Sequence, residues 1–195
     1  MIEIEMSMKP DYFGTALEKA LALFKKEEVM GEGMFKQLLN PIKENLYNFI
    51  LKSLNFSEDA DDVYQETVLR AFKYRKTYKR EKTFKTWLFS IAVNEIRGHF
   101  NRSKKSAGTV GLEEHLYITP GTGNEELVRV VYEIAQHLGP KQRKVFFLFY
   151  DQGFSIREIA DITGLKEGNI KFILNRSRES IKETLADRAK GVKNG

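Results

Sequence analysis

The sequence predicts an all-α protein built as two small helical domains joined by a flexible linker. Three observations carry this reading. Apolar residues recur at helical spacing through most of the 195 residues, with no convincing strand alternation and no internal repeat. The stretch 103–124 breaks the pattern with Ser103, Ser106, Gly108, Gly111, Pro120, Gly121 and Gly123, and it is too long for a routine connection inside one compact domain. Charge also alternates along the chain: net −5 over residues 1–62, +9 over 63–105, −4 over 106–137 and +5 over 138–195.

The elements follow in order. Residues 1–30 form an N-terminal extension, expected to be helical because Leu17, Leu21 and Phe24 fall on one face. The first domain spans 31–102. Apolar positions 35, 38, 39, 42, 46, 49, 50 and 54 follow a 3.6 period, and Asn40-Pro41 either starts a new helix there or kinks a longer one. Ser57 is placed to cap the next helix, whose first turn holds Glu58, Asp59, Asp61 and Asp62, suited to the positive end of a helix dipole. A helix over about 84–102 turns Leu88, Ile91, Ala92 and Ile96 inward. After the linker, the second domain (125–190) carries helical patterns near 125–138, 141–151, 155–162 and 167–188.

Composition removes several function classes. There is no cysteine, which excludes disulfide scaffolds, thiolate metal sites and thiol nucleophiles. The longest apolar run, Val145 to Tyr150, is six residues, against the roughly 20 needed to cross a bilayer. The first residues carry Glu3 and Glu5 and lack the basic-then-apolar layout of a signal peptide, so a cytoplasmic protein without membrane insertion is the expectation. Two basic blocks separated by an acidic one suggest two places where a polyanion docks.

The second domain reads as a helix-turn-helix. Ser155-Ile156-Arg157-Glu158 is a capping box, Ala160 sits where two helices approach, and Gly164 supplies the positive φ of a sharp turn. The second helix of the pair offers Lys166, Lys171, Phe172, Asn175, Arg176 and Arg178. Lysine and arginine neutralise phosphates, while asparagine and arginine also read base edges.

The string DADDVYQETVLRAF from Asp59, with TFKTWLFSIAVNEIRGHFNR from Thr83, closely resembles region 2 of bacterial sigma factors, in particular the two-domain extracytoplasmic-function (ECF) group. The run LGPKQRKVFFLFYDQGFSIREIADITGLKEGNIKFILNRSRESIKETL, from Leu138 to Leu185, looks like region 4 of the same group. The resemblance implies a non-enzymatic subunit that directs core RNA polymerase to promoters and helps melt the −10 element, with promoter DNA as its second partner and an anti-sigma factor as a regulator; it implies no cofactor and no metal. Residue by residue it makes Asp59, Asp62, Gln65, Glu66 and Leu69 the surface for core polymerase. It makes Tyr78, Lys79, Arg80, Lys82, Phe84, Trp87, Asn94, Arg97 and Arg102 the −10 surface. Lys166, Lys171, Phe172, Asn175, Arg176 and Arg178 become the −35 surface.

The residues suit those roles. Asp59, Asp62 and Glu66 recur at i, i+3 and i+7, one polar helix face with Gln65 and Leu69 beside it. The segment from Tyr78 to Phe84 mixes aromatic and cationic side chains, the chemistry that captures an unstacked base. The sequence departs from the family where Arg80 stands at a position often glycine, where Lys166 replaces the usual hydroxyl cap, and where Phe172 and Ile173 replace small or basic residues. Two other readings compete: a helix-turn-helix regulator acting without core polymerase, and a nuclease using Asp59, Asp62 and Glu66 as Mg²⁺ ligands. The regulator leaves the +9 block unexplained. The nuclease lacks a nucleophile, a partnered base or a phosphate-cradling loop, and His99, His115 and His137 have no ligand spacing.

Overall fold

The computed structural model describes residues 30–106 and 124–193, all of whose regular elements are helical. In chain order these are α1 (Glu32–Leu39), a 3₁₀ turn (Asn40–Ile42), α2 (Lys43–Ser53), α3 (Ala60–Tyr74), a 3₁₀ turn (Arg75–Thr77), α4 (Phe84–Ser106), α5 (Asn124–Gln136), α6 (Pro140–Tyr150), α7 (Ile156–Thr163) and α8 (Glu167–Lys193). The helix expected within 1–30 and most of the linker expected at 103–124 lie outside the described residues, except that Met30 is buried in the first domain's core.

Local chemistry explains where the helices start and stop. Pro41 divides the 35–54 pattern, but through a 3₁₀ turn, so α2 begins only at Lys43. Ser57 acts one step before α3 rather than as its cap: its hydroxyl accepts from the Asp59 backbone N–H and donates to the Asp59 carboxylate, while Asp59 itself takes the N-cap position. Helix α4 runs to Ser106, four residues past the boundary expected at Arg102. In the second domain the Ser155–Glu158 capping box is formed in both directions and Gly164 adopts φ 72°, as the turn requires.

In the first domain α2, α3 and α4 close over Leu46, Phe49, Ile50, Val63, Ala71, Leu88, Phe89 and Ile96. Each large apolar side chain withdrawn from water contributes about 1.5–3 kcal/mol. Phe35 from α1 seals one end, edge-on to Phe72 and Phe84 at 5.5 and 5.8 Å. The second domain packs α5, α6 and α7 around α8 through Ile134, Phe147, Leu148, Ile159, Ile170 and Leu174.

The two domains also dock on each other, α4 along α7 and α2 against α6. Phe89 and Phe154 meet across this seam with ring centroids 5.0 Å apart. Lys85 lies over the Phe154 ring and donates to the Gln152 carbonyl at 2.7 Å. Lys52 pairs with Asp151 at 2.5 Å. Arg143 reaches from α6 to the Asn55 side chain at 2.8 Å, in a turn where Asn55 and Phe56 both take left-handed φ near 60°. Asparagine tolerates that region; phenylalanine there is strained and held by its surroundings.

Candidate functional site

One candidate surface is the groove between α3 and α4. Asp59, Asp62, Gln65, Glu66 and Leu69 all line it, in a cleft of about 580 Å³. Leu69 is 63% exposed, an apolar side chain standing among carboxylates. The opposite wall explains how the acidic face holds its shape. Glu95, almost fully buried, receives the Arg70 Nε at 2.9 Å, and Arg70 also reaches Glu66 at 3.2 Å. His99 lies 3.4 Å from Asp59. Sequence reasoning missed Arg70 and Glu95, although Glu66 and Arg70 at i, i+4 were the available signal. Arg102 also lines this groove, one turn beyond His99. This places Arg102, expected on the −10 surface, beside the residues expected to meet core polymerase.

A second candidate surface is the loop before α4. Tyr78, Phe84 and Trp87 form an aromatic cluster with centroid separations of 5.4 to 5.7 Å. The Tyr78 hydroxyl donates to the Lys82 carbonyl at 2.9 Å, closing the loop on itself. Burial raises the Tyr78 pKa, so the phenol stays protonated. Lys79, Arg80 and Lys82 surround the cluster with exposed cationic side chains, and Asn94 and Arg97 continue the exposed surface along α4. Phe84, by contrast, is only 6% exposed and wedged against Phe35, so it supports Tyr78 and Trp87 from below.

On the second domain α8 buries Ile170, Ile173, Leu174, Ser177 and Ile181 and exposes Lys171, Phe172, Asn175, Arg176 and Arg178, with Lys166 exposed just before it. The side chains are mutually organised. Arg178 donates to the Asn175 side chain at 2.6 Å, and the Arg176 guanidinium sits 5.6 Å from the Phe172 ring centre.

The seam engages two of these groups. Lys82 pairs with Asp161 of α7 at 2.9 Å, and Arg97 donates to the Thr163 carbonyl at 3.3 Å. Beside Arg97 a smaller cleft of about 360 Å³ is lined by Phe100, Pro140, Lys141, Lys144 and Leu165. Burial, reinforced by the Arg97 charge, pushes the Lys144 pKa down to about 8. The Glu158 carboxylate is held low by its hydrogen bonds to Ser155, which keeps the α7 capping box ionised.

Two domains with these surfaces, one acidic groove and two cationic ones, match two models of a single family in the expected order. Residues 34–106 match the sigma-70 region 2 model and residues 129–181 the sigma-70 region 4 model. The chain belongs to the sigma-70 family, in its ECF class. It is 26% identical over 167 residues to the ECF RNA polymerase sigma factor SigW of Bacillus subtilis, covering 78% of this chain and 89% of that one. It is 27% identical over 181 residues to the ECF sigma factor SigM of Mycobacterium tuberculosis, covering 92% of each. Among solved structures, the sigma factor RpoE of Bartonella quintana, crystallised with the anti-sigma factor NepR, has a similar fold. Its TM-score is 0.66 at 23% identity, over 78% of this chain and 96% of that one. CnrH, solved with the cytosolic domain of CnrY, gives a TM-score of 0.58 at 24% identity, over 80% and 90% of the two chains.

As a sigma factor of this class, the chain is a non-catalytic initiation factor that directs core RNA polymerase to promoters. The carboxylates weighed as nuclease ligands have other employment, Glu66 with Arg70 and Asp59 beside His99. Among the described residues, no helix is long and apolar enough to cross a membrane.

Proposed function

We propose that the α3–α4 groove is where this ECF sigma factor grips core polymerase, that the Tyr78–Trp87 cluster with Lys79, Arg80, Lys82, Asn94 and Arg97 engages the melted −10 strand, and that the exposed face of α8 reads the −35 element. The observation that carries this division is the two-sidedness of α4. Its Glu95, His99 and Arg102 line the acidic groove, while Arg97 and Phe100 line the separate cleft at the seam. A polar face with one exposed leucine suits a protein partner, and charge complementarity steers that partner to it. Cations around stacked aromatic rings suit single-stranded DNA.

Engaging promoter DNA with Lys82 and Arg97 requires the domains to part, because both are held by α7 in the docked arrangement. An anti-sigma protein acts on this equilibrium by favouring one arrangement, and the complex of the structural relative RpoE with the anti-sigma factor NepR supports such a partner here. Its place of work is the bacterial cytoplasm, where polymerase and promoter are. The test is runoff transcription with core polymerase and a promoter library. Specific start sites that depend on this chain are the expected result. Failure to bind core, or binding of a palindrome without core, overturns the reading.

A further inference from the structure

Phe172 is 62% exposed near the start of α8, while the neighbouring Ile170, Ile173 and Leu174 are buried. At 100° per residue the buried stripe of Ile170, Ile173, Leu174, Ser177 and Ile181 points one way, and Gly168, Phe172, Asn175 and Glu179 form the ridge opposite it. Helical side chains lean toward the N-terminus, so Phe172 leans over Gly168, where a Cβ would meet nothing within 4 Å. One turn on, the Arg176 guanidinium rests 5.6 Å from the ring and is itself 3.5 Å from Glu179. An aromatic ring is thus held outermost on the helix, with open space ahead of it and a cation behind.

Taking α8 as the −35-reading helix, we infer that Phe172 is a specificity residue that reads the 5-methyl group of a thymine in the major groove. In a helix-turn-helix the first turns of the second helix meet base edges, and an apolar side chain there gains contact only from the thymine methyl. Every other exposed side chain named on this face is polar, so Phe172 alone supplies methyl recognition, while Arg176 and Asn175 supply hydrogen bonds to its neighbours. The ring leaves water on binding, which favours a site with thymine over one with cytosine or with uracil, which lacks only the methyl.

The experiment uses the full chain with core polymerase and a −35 sequence obtained by binding selection. Each thymine is replaced in turn by deoxyuridine, which deletes only the methyl. One position should weaken binding about fourfold, the worth of one buried methyl-sized group. Phe172→Ala should bind the thymine and deoxyuridine duplexes equally while retaining wild-type thermal stability and core affinity, since the side chain is exposed. The inference is overturned if no deoxyuridine substitution weakens the wild type, or if the thymine preference survives in Phe172→Ala. It is equally overturned if Phe172→Ala lowers affinity for core polymerase instead, because the ring then serves a protein partner. If selection returns no preferred −35 sequence at all, it is the assignment of α8 that fails.

Discussion

Lys52 of α2 and Asp151 at the end of α6 meet at 2.5 Å across 99 positions of sequence, the closest ionic link between the two domains among the described residues. Both side chains are largely shielded from water. Lys52 lies 4.7 Å from the centre of the Tyr132 ring, and Gln152 donates to the other Asp151 oxygen at 2.6 Å. Burial and the adjacent Asp151 carboxylate push the Tyr132 pKa up to about 12. Removing one partner of such a pair strands a charge in a desolvated site.

Asp151→Asn should therefore destabilise the docked arrangement by about 3 kcal/mol, the lower end for breaking a buried pair. Lys52→Met combined with Asp151→Leu should recover most of that loss, because an apolar replacement removes both desolvation penalties. Denaturant unfolding, with an interdomain distance measured by fluorescence transfer, checks both. A single variant within 1 kcal/mol of the wild type would show that the pair does not hold the domains.

Promoter engagement should respond to the Lys82–Asp161 contact. That pair is half-exposed, so it is worth at most about 1 kcal/mol. Asp161→Lys replaces attraction by repulsion and frees Lys82 for DNA. Open-complex formation by the holoenzyme should rise a few-fold, with core affinity unchanged. A fall in open-complex formation would mean that Asp161 assists DNA binding instead of restraining it.

Much of this architecture was legible in the sequence, and the missing parts share one cause. The capping box at Ser155, the turn at Gly164 and the acidic face of α3 are local patterns within a few residues, where propensity and periodicity speak directly. The docking of the two domains depends on Lys52, Lys85, Asp151 and Gln152, which are remote in sequence and look like ordinary solvated residues. The surroundings of Phe84 and Arg102 were illegible for a related reason. Composition identifies an aromatic or a cation, but which side of α4 it occupies is set by the tertiary packing of Phe35 and Asp59.

The seam should also respond to pH through Lys144. Its ordinary pKa of 10.5 is pushed down to about 8, first by burial and then by Arg97, which faces it from α4 while Lys141 shares the same cleft. Between about pH 8 and 10.5 the unfolded chain binds a proton that the folded chain does not, so stability rises with pH in that window. Below about 8 both states are protonated and the full penalty stands. The rise is at most about 3 kcal/mol. Above pH 10 the raised Tyr132 pKa acts in the opposite sense, so the scan belongs between pH 7.5 and 9.5. Melting temperature should climb over that range and should be flatter in Lys144→Met; an equal slope in both would place its origin elsewhere.

The α3–α4 groove gives the sharpest test of polymerase binding. Asp62 and Glu66 are exposed, and Glu66 pairs with Arg70, a contact worth about 0.3–0.5 kcal/mol for an exposed i, i+4 pair. Replacing both by alanine should leave the melting temperature within a few degrees. Core polymerase, by contrast, would lose two carboxylates matched to its own cations. If those pairs are desolvated in the complex, their loss costs about 2 kcal/mol or more, roughly a thirtyfold weaker Kd. Leu69→Ala should add to the loss without further change in stability, since that side chain is already in water. Titration of labelled core polymerase against each variant measures the affinities, and the −35 duplex serves as an internal control because α8 is untouched. A double variant that binds core normally, with its fold intact, would move the interface away from this groove.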